Sequence, residues 1–272
     1  MQKKNILIGL IFGILSAGFA KAQTDNKEQL VVPLSSPGKP FSLTMNILNG
    51  SIKLSGYDGK DIIIDIAPGE VRNKNEEETV NGMHKISRGG EVDITAEEKN
   101  NTVEVNAGNA KKTVILKIPQ EAVKLKLGTV NEGSIYVENV NGELEITNVN
   151  GAITAKGISG SVVANTVNGN VIVTFKSIKP DAPMAFTTLN GDVDVTFPGD
   201  AKANVKLKSD RGEIFTDFNM AIDQAKPKVT KSSEDNMYRL NVEDWVYGKI
   251  NGGGPDMMLK NMNGNIYVRK SK

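Results

Sequence analysis

Two aspartates, one histidine and one tryptophan are the residues of this chain whose types invite a chemical reading. Asp192 and Asp194 stand two apart in the run Asn190-Gly191-Asp192-Val193-Asp194, so on a strand both carboxylates share one face. Such a pair can hold a cation or polarise a sugar, and paired carboxylates flanking a cleft are what a glycoside hydrolase uses. On an outer face the same pair simply keeps the surface soluble, and that is the expectation. His84 is the only histidine. With no second histidine and no nucleophile motif beside it, it reads as a solvated loop residue. Cysteine is absent, which removes thiol catalysis, disulfides and a lipid-anchored N-terminal cysteine. No Gly-x-x-x-x-Gly-Lys-Ser/Thr loop is present to cradle phosphate. The lone Trp245, with Tyr247 after it, could stack on a sugar ring; its expected role is to cap an exposed end of the core. The sequence therefore nominates no catalytic, metal-binding or cofactor-binding residue and no cofactor, and the chain is expected not to be an enzyme.

The elements that would position these residues are set by a repeat. From Gly133 to Ser177 five units of nine residues follow without a gap: GSIYVENVN, GELEITNVN, GAITAKGIS, GSVVANTVN and GNVIVTFKS. The third position is apolar (Ile135, Leu144, Ile153, Val162, Val171). The fifth is small or apolar (Val137, Ile146, Ala155, Ala164, Val173). Apolar residues two apart are the mark of a strand with one buried face. A short fixed period signals a repeat architecture. The eighth position is apolar in the first four units (Val140, Val149, Ile158, Val167), three places after the last inward one. A chain that turns a corner and points inward again explains it. The fold class expected is all-β: a single-stranded, β-helix-like β-solenoid. Asn-Gly is also a hairpin signal, so a meander or sandwich of antiparallel hairpins stands as the alternative. A nonapeptide glycine period also serves calcium-binding β-rolls. Those need an aspartate in every turn, and none lies between Gly133 and Ser177.

Around this core the chain divides simply. Residues 1–22 read as a signal peptide: Lys3 and Lys4, an apolar run from Ile6 to Phe19, and the small-x-small site Ala20-Lys21-Ala22. Residues 23–40, with Pro33, Pro37 and Pro40, read as a linker or extended arm, and 41–272 as the solenoid domain. Two charged loop inserts interrupt it. Pro68 to Gly90 is expected to be a long surface loop or short helix, and Met220 to Asp244 is rich in lysine and serine. A hairpin is expected over Glu91 to Glu104 around Lys99-Asn100-Asn101. Beyond Phe175 the spacing lengthens, with anchors at Gly191 and Gly212 and prolines at the corners. The last unit is Asn263-Gly264-Asn265-Ile266-Tyr267-Val268.

Charge bounds the partners. The net charge is +1 at pH 7, and loss of Lys3, Lys4 and Lys21 with the leader makes it −2. Bulk charge therefore attracts neither nucleic acid nor an anionic membrane. No further apolar run is long enough to span a bilayer, so no stable membrane insertion is expected.

Four stretches together carry a resemblance: NGSIKLSGYDGKDIIID, the units from Gly133 to Val173, TLNGDVDVTFP with LKSDRGEIFTDF, and the ending YGKINGGGPDMMLKNMNGNIYVRK. They resemble the secreted bacterial domains of unknown function labelled putative adhesins, near the head domains of auto-transporter-like adhesins. The resemblance implies a β-solenoid-like fold and export to the periplasm or cell surface. The function expected is a non-enzymatic adhesin or envelope binding and scaffold protein, with a glycan or a surface protein as partner. The alternatives are an envelope enzyme acting on polysaccharide and an envelope stress or signalling accessory.

Overall fold

Alternating apolar residues make nearly every stretch outside the corners a strand. The computed structural model describes residues 29–67, 79–80, 83–84, 93–108, 112–223, 228–234, 237–243 and 245–272. Among them are twenty-four strands and no helix. The signal-peptide stretch lies outside the described residues. No described helix is long and apolar enough to cross a membrane.

Consecutive nonapeptides do not pair with each other. They lie on two opposed walls, and each pairs in parallel with a unit one coil away. On one wall Ile135, Ile153, Val171, Val193, Ile266 and Ile214 stand side by side in successive strands. On the other, Leu43, Leu125, Leu144 and Val162 do the same. The architecture is β-solenoid-like, with two nine-residue units to a coil in the regular part. The third and fifth positions of all five units are buried between the walls, each at 3% exposure or less. Where the coil lengthens beyond Gly169 the interior widens, and aromatic rings fill it. Phe175 stacks on Phe197 with centroids 5.3 Å apart, and Phe186 meets both edge-on.

The chain does not wind in sequence order. The C-terminal coil, Asp256–Asn261 with Ile266–Lys270, is inserted between Met184–Thr187 with Val193–Phe197 and Ala203–Ser209 with Ile214–Thr216. At the other end, Phe41–Asn49 with Ser51–Tyr57 lies inside Thr102–Ala107 with Thr113–Pro119. The last unit in sequence is thus an interior rung. Bare strand edges invite pairing with other chains, and interleaving gives both terminal coils two paired edges. Antiparallel strands then cover most of the outermost edges: Ile94–Lys99, Asp61–Ile66 and Leu30–Pro33 at one end, Val246–Ile250 and Met220–Asp223 at the other.

Ile94–Lys99 and Thr102–Ala107 form the expected hairpin, turned by Asn100 and Asn101 at φ 54° and 58°. Part of the proline-containing arm is a strand, Leu30–Pro33, with Val32 and Leu34 buried. The inserts depart from a loop reading. Lys228–Glu234 and Met237–Glu243 form an antiparallel ribbon. Its charges mask an alternation of Val229 and of Tyr238, Leu240 and Val242 that suits a strand. In the first insert Thr79–Val80 pairs with Met83–His84, where a loop or short helix was expected. The remainder of that insert lies outside the described residues.

Candidate functional site

Each regular coil turns twice, and the two corners are built differently. At one, a polar residue, an aliphatic one, an asparagine and a glycine recur: Asn148-Val149-Asn150-Gly151, Thr166-Val167-Asn168-Gly169, Thr188-Leu189-Asn190-Gly191 and Asn261-Met262-Asn263-Gly264. Strand alternation runs into this corner unbroken, so the polar residue faces in and the aliphatic one faces out. The buried polar group donates to the glycine carbonyl of the neighbouring coil. Thr166 Oγ1 reaches Gly151 O at 2.9 Å, and Thr188 Oγ1 reaches Gly169 O at 2.8 Å. Asn148 Nδ2 reaches Gly133 O at 2.9 Å, and Asn261 Nδ2 reaches Gly191 O at 3.0 Å. A buried carbonyl needs a donor, which explains the polar residue inside an otherwise aliphatic column.

At the other corner a left-handed residue intervenes. Asn139 (φ 54°) and Gly157 (φ 64°) precede Val140 and Ile158 and turn those side chains back inward, to 3% and 0% exposure. This divides the eighth position, expected to be inward in four units. Val140 and Ile158 are inward. Val149 is 37% exposed and Val167 half-buried, because Asn148 and Thr166 stand where the left-handed residue would be.

The outward aliphatics line up. Leu48, Val130, Val149, Val167, Leu189 and Met262 occupy successive rungs, tied by Asn150 N to Val130 O (3.1 Å), Asn168 N to Val149 O (2.8 Å), Asn190 N to Val167 O (2.8 Å) and Asn263 N to Leu189 O (2.9 Å). Leu48 is 55% exposed, Leu189 44% and Val130 38%. At about 4.8 Å per rung the ridge runs about 24 Å. Beside it stands an asparagine ladder. Asn168 Nδ2 donates to Asn150 Oδ1 (2.8 Å), Asn190 Nδ2 to Asn168 Oδ1 (2.7 Å) and Asn263 Nδ2 to Asn190 Oδ1 (2.6 Å).

At the C-terminal end the ridge meets Trp245. Val167, Leu189, Met262, Lys260 and Trp245 share the wall of an open groove of about 610 Å³. Trp245 was expected to cap the core. It has the outward parity of Tyr247, which pairs across the strands with Lys206, and so it lies on the outer side of the wall. Lys206 Nζ sits 4.1 Å from its ring centroid, Lys208 Nζ 5.7 Å and Lys260 Nζ 6.0 Å. Lys208 also pairs with Asp210 at 3.2 Å.

Asp192 and Asp194 have structural partners. Arg269 Nε donates to both oxygens of Asp194 (2.8 and 3.0 Å), and the backbone N–H of Asn265 donates to Asp192 Oδ1 (2.7 Å). Both carboxylates tie the inserted C-terminal coil to its neighbour, and the bond to Asp194 raises the pKa of the Arg269 guanidinium. His84 sits on its short ladder, away in sequence from either aspartate. A second groove, about 570 Å³, follows the other corner past Phe41, Asn101, Lys124 and Gly142. In its wall Lys179 Nζ lies 2.6 Å from Glu143 Oε1 and holds that carboxyl below the usual range.

Sequence reasoning missed one aromatic pair. Phe215 stacks on Tyr267 at 5.3 Å, with Arg269 over the Tyr267 ring at 4.7 Å. The two rings are far apart in sequence and meet only because the last coil is inserted. The ridge has a partial signal in the recurring Asn-Gly with an aliphatic residue before it, but Asn139-Val140-Asn141-Gly142 carries the same four residues as Asn148-Val149-Asn150-Gly151 and turns its valine inward.

Two solved structures resemble the chain weakly. One is a putative cell adhesion protein from Clostridium sporogenes, 14% identical, with a TM-score of 0.41, covering 90% of this chain and 98% of that one. The other is a putative adhesin from Bacteroides fragilis, 10% identical, with a TM-score of 0.29, covering 89% of this chain and 96% of that one. No curated protein matches it. The Toastrack DUF4097 profile matches residues 129–269, which take in the five nonapeptides, the inserted coil and most of the ridge. That is more than half of the residues, and the chain belongs to the Toastrack DUF4097 family.

Proposed function

We propose that this is an exported, non-enzymatic protein of the cell envelope or surface, an adhesin or scaffold whose single-stranded β-solenoid domain spans 41–272. Its signal peptide is 1–22 and its arm 23–40. The observation that carries the reading is the ridge of six aliphatic residues, a continuous outward surface on a stacked scaffold. Elongated repeat surfaces commonly serve binding. The expected partner is a glycan or a surface protein. The carboxylates best placed for polysaccharide hydrolysis, Asp192 and Asp194, are engaged in holding coils together, which weighs against the enzyme reading.

A glycan and matrix-protein array probed with the protein tests this. Capture of a defined ligand, weakened by serine at Val149 and Leu189, is the expected result. Polysaccharide turnover that disappears in both Asp192→Ala and Asp194→Ala would instead establish an enzyme. Protease shaving of intact cells separates a surface location, where the protein is cut, from a periplasmic one, where it is spared.

A further inference from the structure

The ridge and the Trp245 cluster form one surface with two chemistries. Along the corner run aliphatic side chains on six rungs. At its C-terminal end stand an aromatic ring and the ammonium groups of Lys206, Lys208 and Lys260. Among the described residues the groove that joins them is lined by one carboxylate, Asp210, and Lys208 already pairs with it. Several polar groups beside the ridge are engaged within the protein: four asparagine amides bond along their ladder, and the Thr166 and Thr188 hydroxyls bond to glycine carbonyls. Asn148 Oδ1 and Asn261 Oδ1 have no partner among the described residues, but both atoms are buried. The exposed chemistry that joins the ridge to the Trp245 cluster is aliphatic contact beside positive charge.

We propose that this edge docks the protein peripherally on an anionic lipid surface. The inference rests on reading this edge as a binding surface, as above, and goes beyond the glycan or surface protein named there to a different partner class. Two features select a lipid surface. Tryptophan and tyrosine favour the headgroup level, and Trp245 and the 40%-exposed Tyr247 stand beside the lysines. Apolar residues with lysines alongside are the chemistry of interfacial binding to anionic lipid. The near-neutral chain as a whole does not supply this attraction; the local cluster does. No segment inserts across the bilayer in this arrangement.

Trp245 is the only tryptophan, so its fluorescence reports the site without any substitution. The chain from Gln23 onward is mixed with phosphatidylcholine vesicles, with and without phosphatidylglycerol. Co-sedimentation and the emission spectrum are then read. The expected result is binding that needs the anionic lipid, weakens with salt, shifts Trp245 emission to the blue and lets brominated acyl chains quench it. Glutamine at Lys206 and Lys260 should lower the partition coefficient about fivefold each. Serine at Val149 and Leu189 should lower it further while leaving the unfolding midpoint in place. Equal binding to both vesicle types, or sedimentation with an unchanged Trp245 spectrum, overturns the proposal. A signal on the glycan and protein array without vesicle binding overturns it too, and leaves the adhesion reading standing.

Discussion

Replacing Gly160 by alanine tests whether the coils are stacked as closely as described. Gly160 has φ +137°, and a Cβ there would lie 1.9 Å from the backbone oxygen of Gly142 in the next coil. Gly252 is the control. Its φ is +86°, and a Cβ there would meet nothing within 4 Å. Both alanine variants carry the cost of a backbone conformation that favours glycine, about 1–3 kcal/mol. Only the first must also push two coils apart. Ordinary contact begins near 3.4 Å, and the obstructing atom is backbone, which cannot swing aside. The nearest hydrogen bonds that would open are Ser159 N to Val140 O (3.0 Å) and Lys179 N to Gly160 O (2.9 Å). At about 1 kcal/mol each, or more if a carbonyl is left buried and unpaired, they add about 2–3 kcal/mol. Gly160→Ala should therefore be less stable than Gly252→Ala by about 2–3 kcal/mol. Urea titration followed by circular dichroism measures the difference. A gap below about 0.5 kcal/mol, the usual range for surface changes, would refute the close packing.

Three further outcomes follow from the same geometry. Thr188→Val keeps the shape but removes the donor to Gly169 O, and should cost about 1–3 kcal/mol in urea unfolding. Phe186→Ala, at a position with no exposure between two other rings, should cost about 3–5 kcal/mol. Glu98 accepts bonds from the Ser35 hydroxyl and N–H and from the Asn101 N–H, and these hold its carboxyl below the ordinary range. A lowered folded pKa means the stabilisation is complete above the ordinary glutamate value and is lost as pH falls through the folded one. The melting-temperature gap between wild type and Glu98→Gln should thus be present at neutral pH and close in acid; a gap independent of pH contradicts the assignment.

The nonapeptides were legible because alternation and glycine spacing are local. Ile135, Ile153 and Val171 announce both their strands and their burial, and the structure pairs them directly. The coil order was not legible. Nothing within Asn263-Gly264-Asn265-Ile266 says that it pairs with Val193 on one side and Ile214 on the other. That choice is made by edges seeking partners across more than fifty residues. The eighth position fell between these cases. Val140 and Val149 look alike in a repeat alignment, yet the residue before each decides its direction. Asn139 adopts a left-handed backbone, and Asn148 stays extended and spends its amide on a carbonyl. The same residue type does both, so side-chain identity alone could not separate them. Trp245 was misplaced for a related reason, since its parity depends on a strand pairing that its own sequence does not reveal.

The ridge can be separated from mere strand preference by threonine. At five of the six rungs a polar residue stands inside the corner, Ile47 before Leu48 being the exception, and alternation then forces the next residue outward; neither step requires that residue to be aliphatic. The outermost coil shows this, for in Ser209-Asp210-Arg211-Gly212 the outward position is Asp210, while Ser209 Oγ still donates to Gly264 O at 2.9 Å. Valine alone could be ascribed to β propensity, but Leu48, Leu189 and Met262 lack the branched Cβ that favours strands. Threonine keeps that branch and loses the apolar surface. Val149→Thr with Val167→Thr should leave unfolding within about 0.5 kcal/mol of wild type, as exposed substitutions do, while weakening vesicle binding. A combined loss of several kcal/mol would mean that these side chains serve the core, and the outward edge would then have no reason to be aliphatic beyond packing.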